Sequence, residues 1–130
     1  MHVREGTAED FGALQNILVQ SPEAAQWMPE DQAILVAEEG GSLAGFLVWR
    51  HTAPDEIEIL NLAVAPAFRR RGIAKAMLDG LPKAEVFLEV RESNLRARGL
   101  YQAAGFREVG LRRGYYQNPP EGVIVMRMQS

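Results

Sequence analysis

The sequence predicts an α+β domain: a mixed, mostly antiparallel sheet with one central parallel pair and helices on both faces. Three observations lead there. Strand-like runs between residues 33 and 65 are separated by tight turns at Gly40-Gly41-Ser42 and Ala53-Pro54-Asp55, the pattern of an antiparallel meander. A strand, helix, strand succession fills residues 56–90, a length that implies a right-handed parallel crossover. Two further strand-like runs, 106–113 and 122–128, read as a closing antiparallel pair.

The elements follow in order. Residues 2–6 are a short strand candidate. Thr7 caps a helix with Glu9 and Asp10 in its first turn, and Phe11, Leu14, Ile17 and Leu18 recur at helical spacing to about Gln20. Ser21-Pro22 opens a second, short helix that ends near Trp27-Met28-Pro29. Trp27 and Met28 fit either core packing or the wall of a substrate site. The meander strands are 33–38, 43–51 and 56–65. Residues 72–81 form a helix with Ile73, Ala76, Met77 and Leu81 on one face, closed by Gly80 and Pro82. The apolar strand 84–90 follows, then helix 93–104 with Ser93 or Asn94 as cap and Gly105 in the stop position. The loop 114–121 joins the last two strands and carries Tyr115 and Tyr116, which fit a groove wall or a division between core and surface.

Composition narrows the function classes. At 130 residues the chain is expected to be one domain, residues 1–130. Without cysteine there is no disulfide framework, thiolate metal site or cysteine nucleophile, and His2 and His51 are too few for a histidine-rich metal centre. No apolar run reaches membrane-spanning length, and Arg4 and Glu5 stand where a signal peptide would be apolar, so a cytoplasmic protein with no membrane partner is expected. The net charge of −3 argues against nucleic acid and suits a cationic substrate such as an amine.

The stretch that organises the chain is 59–75, where an apolar strand meets Pro66 and then Arg69-Arg70-Arg71-Gly72-Ile73-Ala74-Lys75. A glycine-bearing turn at a helix start offers free N–H groups to phosphate, and arginines add charge-assisted donors. A Walker loop would need Gly-Lys-Ser/Thr and a dinucleotide fingerprint would need Gly-x-Gly-x-x-Gly; neither occurs here. An exposed basic turn without ligand is the other local reading.

Ligands of such sheets bind beyond the carboxyl ends of the parallel strands, here near Val64 and Glu89. Glu89 ends an apolar strand, so loss of solvation is expected to make it a base near neutral pH; the alternative is a satisfied acid paired with Arg91. Tyr101 sits beside the apolar face set by Ala97, Leu100 and Ala104, either packed or placed to give a proton to a leaving thiolate. Asn94 is most simply a cap, and could also bond a ligand amide. Asp55, Glu56 and Glu58 are solvated strand-edge acids or an attraction for a cationic terminus.

Several blocks occur together and in order: Asn61-Leu62-Ala63-Val64, Arg69 to Ala74, Leu88-Glu89-Val90-Arg91-x-Ser93-Asn94, Leu100-Tyr101, Gly105-Phe106 and Arg112-Arg113-Gly114-Tyr115-Tyr116. From about Glu56 to Met126 the chain resembles the GCN5-related N-acetyltransferase superfamily. It is similar within it to the bacterial branch that acetylates the N-terminal alanine of ribosomal protein S18. The resemblance implies a sheet whose central parallel strands splay apart, with acetyl-coenzyme A as co-substrate. It implies that Leu62, Ala63 and Val64 pair with the pantetheine arm, that residues Arg69, Arg70, Arg71, Gly72, Ile73, Ala74 and Lys75 hold the pyrophosphate, and that Asn94 touches the cofactor. Glu89 is then the general base and Tyr101 the general acid, with backbone N–H groups near Leu62 at the oxyanion. The implied acceptor is a protein N-terminal α-amine, and the implied assembly is a monomer or weak homodimer. A lysine side chain or small amine is the alternative acceptor, and a non-catalytic acyl-coenzyme A-binding module is the alternative class. The chain departs from the family in Ala74, where a second glycine is more usual, and in Glu121-Gly122, where close relatives commonly carry Asp second.

Overall fold

The structure is a computed structural model describing residues 1–21, 24, 33–117 and 120–129, with backbone alone at 114–117, 120 and 129. Turn chemistry settles its first half. Gly40 and Gly41 both take positive φ, 60° and 84°, as a two-residue hairpin loop requires. Strand β2 (Ala33–Glu39) therefore returns as β3 (Ser42–Ala53), with Glu39 opposite Ser42. On the outer side β1 (His2–Glu5) pairs antiparallel with β2, and Pro54-Asp55 turn β3 into β4 (Glu56–Val64).

The described residues fall into two compact units. The first is Met1–Arg50 with Ile59–Pro82. Its strands alternate, as a two-faced sheet demands. Val36 and Phe46 are partners on one face, where Leu14, Ile17 and Leu18 of helix α1 (Phe11–Val19) pack with Val48 and Ala63. Ala37 and Gly45 are partners on the other face, where helix α2 (Ile73–Asp79) sits. A Cβ added at Gly45 would stand 2.8 Å from the Ala63 carbonyl, 3.2 Å from Met77 Cε and 3.3 Å from Ile73 Cγ2. Glycine there lets α2 approach the sheet. Helices on both faces were expected, and this unit has them.

The second unit is His51–Glu58 with Lys83–Ser130. Strand β5 (Glu85–Arg91) runs parallel to β4 through Glu56↔Glu85, Ile57↔Val86 and Glu58↔Phe87. On its other side β5 pairs antiparallel with β7 (Pro120–Gln129), and β7 pairs with β6 (Arg107–Gln117). Helix α3 (Leu95–Ala103) buries Ala97 and Tyr101. By hydrogen bonding the strand order is β1-β2-β3-β4-β5-β7-β6, the mixed, mostly antiparallel α+β sheet that the sequence predicts.

Boundaries moved where packing outweighs local signals. Helix α2 ends at Asp79, two residues before Leu81. The expected loop 114–121 is largely strand: β6 runs on to Gln117 and pairs Tyr116 with Glu121 and Gln117 with Pro120. Cross-strand backbone bonding overrode the glycine and proline punctuation there. The expected helix after Ser21-Pro22, with Trp27 and Met28, lies outside the described residues, as do the side chains of Tyr115 and Tyr116. No helix among the described residues is long and apolar enough to cross a membrane.

Candidate active site

In the first unit the expected phosphate turn is built at the end of β4. The strand buries alternate residues at first, and then Asn61, Leu62, Ala63 and Val64 are all buried. One 3-10 turn (Pro66–Phe68) follows, with proline supplying its fixed φ. Arg70 then takes φ 62°, which no other described non-glycine residue matches in sign, and Gly72 caps α2 at φ 75°. Two left-handed residues in three turn the chain sharply into α2.

The three arginines divide their tasks. Arg69 fastens the turn from behind, its Nε donating to the Val64 carbonyl and its Nη2 to the Gln20 carbonyl, both at 3.3 Å. Arg70 and Arg71 are exposed, and Arg71 lies 5.6 Å from the Phe68 ring centroid. Lys75 is exposed and pairs with Asp79 at 2.6 Å. The Ala76 N–H bonds the Gly72 carbonyl at 3.0 Å, so those of Ile73, Ala74 and Lys75 precede the first intrahelical bond. A Cβ at Gly72 would meet nothing within 4 Å. Exposed cations, helix N–H groups that precede the first intrahelical bond and open space at Gly72 are a donor set that fits a diphosphate.

In the second unit Asn94 caps α3, its Oδ1 accepting the Ala97 N–H at 3.1 Å. Tyr101, one turn further on, is buried and meets Phe106 edge-on, with centroids 5.6 Å apart. Arg98 Nη2 donates to Glu108 at 2.7 Å, which places α3 on the face of Glu108 and its partner Met126. Glu89 pairs with Val125 and so points to the opposite face of β5. Glu89 and the helix that carries Tyr101 thus lie on opposite faces of this part of the sheet.

Glu89 itself is exposed, so the expected loss of solvation does not occur. Its partner is Arg112, whose Nη1 donates to Oε1 at 2.7 Å, rather than Arg91. Arg91 instead reaches Glu121 at 3.3 Å. Glu121 also accepts the Ser93 N–H at 2.8 Å and the Ser93 hydroxyl at 2.6 Å, and these bonds hold its carboxyl below the usual range. Glu92 accepts the Gly122 N–H at 3.0 Å. The turn between Glu89 and Asn94 is therefore braced against the start of β7. Sequence reasoning missed Arg112 and Glu121 because no local spacing joins them to β5. Asn61 is a further surprise: its Oδ1 accepts the Leu62 N–H at 3.0 Å, so one of the N–H groups expected near the oxyanion already has a partner.

Known proteins resemble the chain in sequence and in fold. The sequence profile of the Acetyltransferase (GNAT) family matches residues 3–106. The N-alpha-acetyltransferase RimI of Mycobacterium tuberculosis is 39% identical over 101 residues, which are 72% of this chain and 64% of that protein's length. A [ribosomal protein bS18]-alanine N-acetyltransferase of Haemophilus ducreyi is 30% identical over 134 residues, 87% of this chain and 92% of that one. The solved ribosomal-protein-S18-alanine N-acetyltransferase of Escherichia coli superposes with TM-score 0.73 at 26% identity, over 98% of this chain and 92% of that one. A Bacillus anthracis structure in complex with acetyl coenzyme A shares the fold, with TM-score 0.76 at 15% identity over 99% of each chain. With its profile match, its relatives and its sheet in agreement, the chain belongs to the GNAT family of acetyltransferases.

Proposed function

We propose that this chain is a single acetyltransferase domain that moves an acetyl group from acetyl-coenzyme A to the α-amine of a protein N-terminus, of the kind that begins with alanine, in the cytoplasm and as a monomer or weak homodimer. The observation that carries the reading is one exposed carboxylate, Glu89, on one side of β5 and one buried phenol, Tyr101, in the helix on its other side. The relatives named for the S18 alanine N-terminus support the choice of acceptor.

When bound, acetyl-coenzyme A supplies the acetyl group as an activated thioester. Arg70, Arg71 and Lys75 hold its diphosphate together with the N–H groups of Ile73, Ala74 and Lys75, while Arg69 keeps the turn in shape. The backbone of Leu62, Ala63 and Val64 receives the pantetheine arm, and Asn94 contacts it from the start of α3. An α-amine with pKa of about 7.7–8.0 arrives partly protonated. Glu89 takes its proton, directly or through a water. The freed amine attacks the thioester carbonyl, the carbon–sulfur bond breaks as Tyr101 gives a proton to the departing sulfur, and the second proton shed by the new amide nitrogen restores the phenol. For Leu62 N–H to stabilise an oxyanion, the Asn61 amide must turn aside.

The test is release of free coenzyme A in the presence of a peptide and amine panel. Turnover on alanine-starting peptides supports the proposal. Turnover confined to lysine side chains or small amines moves the acceptor, and tight acetyl-coenzyme A binding without any turnover leaves only a binding module.

A further inference from the structure

We propose that Arg112 is an internal stand-in for the acceptor's ammonium: it occupies Glu89 until a substrate amine exchanges with it. The inference deepens the reading of Glu89 as base and rests on it.

The geometry begins with a bulge. Glu108 pairs with Met126, but Gly110 pairs with Val125, so β6 carries one extra residue, Val109. A slip of one residue moves every later side chain to the other face. Without the bulge, Arg112 would share the face of Met126, where α3 lies. With it, Arg112 pairs with Val123, on the face of Val125 and Glu89. The guanidinium crosses β7 and meets Glu89 Oε1 at 2.7 Å.

Two other acids of that face are paired with arginines as well. Glu85 is bonded by Arg127, and Glu121 by Arg91. Glu89 belongs to this series, with Arg112 as its cation. A protonated amine that approaches Glu89 therefore meets a carboxylate already in an ion pair. It exchanges one cation for another, which leaves the local charge unchanged.

Two properties make Arg112 a suitable occupant. The pair is open to water, with side-chain exposures of 55% for Arg112 and 31% for Glu89, so exchange needs no unpacking. A guanidinium also does not lose its proton at physiological pH. Arg112 thus pairs with the carboxylate without a proton to give it, whereas an incoming ammonium can hand its proton over. Exposed pairs of this type are weak, so the competition is modest.

The experiment is steady-state kinetics of the full chain with an alanine-starting peptide amide. In Arg112→Gln the acceptor KM should fall roughly 2- to 5-fold, equivalent to about 0.4–1 kcal/mol, while the acetyl-coenzyme A KM and kcat stay within about twofold. Arg112→Lys, which keeps a cation, should retain the wild-type acceptor KM. An acceptor KM that is unchanged or raised in Arg112→Gln overturns the proposal. Glu89→Gln run alongside separates the two ideas: full turnover there removes the base, whereas lost turnover with an unmoved Arg112→Gln KM removes only the exchange. A readout independent of turnover is the Arg112 Nε–H resonance, assigned by its absence in Arg112→Gln. It should shift when the peptide amide is added to the ligand-free protein and stay put with the N-acetylated peptide. No shift with either peptide also overturns the proposal.

Discussion

Two carboxylates of this chain show how burial and partners set the task of a residue. Asp10 is 8% exposed and accepts Arg4 through both oxygens, at 2.8 and 2.9 Å, and the Thr7 N–H at 2.8 Å. The Arg4 bonds lead in pulling its carboxyl down to about 2, against the opposing effect of burial. A folded-state value below the unfolded 3.8 stabilises the fold above pH 4 and ceases to do so as pH falls toward 2. Asp10→Asn should therefore cost about 1–2 kcal/mol in urea unfolding at pH 7, with the gap to wild type closing near pH 2. A gap that persists at pH 2 would show that the amide harms packing instead. Glu89 is exposed on a strand face and is paired with Arg112; its proposed role as base is a matter for kinetics. Glu89→Gln and Tyr101→Phe should each lower kcat about 10²- to 10⁴-fold while acetyl-coenzyme A affinity measured by calorimetry changes little. Wild-type rates in both variants would remove the acid–base pair.

At the scale of elements, the decisive contact is between α2 and the sheet. The Cβ introduced by Gly45→Ala would press on the Ala63 carbonyl, which is backbone and cannot rotate away. That substitution should cost about 1–3 kcal/mol in denaturant unfolding. It should also weaken acetyl-coenzyme A binding, because Ile73, the first residue of α2, is among the atoms displaced. Unaltered stability would mean that α2 is not seated as described. The turn before α2 answers to a different test. Arg71 is exposed and is proposed to hold the diphosphate, so Arg71→Ala should raise the acetyl-coenzyme A dissociation constant roughly tenfold with kcat at saturation little changed. An unchanged dissociation constant would count against the turn.

For the whole molecule, a ligand that binds only the folded chain stabilises it by mass action. Acetyl-coenzyme A at 100 times its dissociation constant should contribute about 2.7 kcal/mol and raise Tm by roughly 10 °C. Coenzyme A without the acetyl group should do nearly as well, since the turn proposed to hold the diphosphate does not depend on the acetyl group. A calorimetric scan that shows stabilisation by the peptide acceptor but not by coenzyme A would contradict the assignment.

Local chemistry was enough for much of this. Gly40-Gly41 dictate a hairpin because both need positive φ, Asn94 caps α3 because its side chain reaches Ala97, and Gly72 opens α2 from a left-handed turn. Motif order alone carried the chain to its family. Tertiary structure decided what depends on register between distant strands. Whether Glu89 is buried or open, and that Arg112 rather than Arg91 meets it, follow from how β5, β7 and β6 align and from one extra residue at Val109. The bracing of Ser93 by Glu121 has the same origin. A period-two strand pattern records which residues share a face of one strand. It holds no information about which strand lies alongside or where a bulge reverses the faces, because that is set by the sum of packing across the sheet.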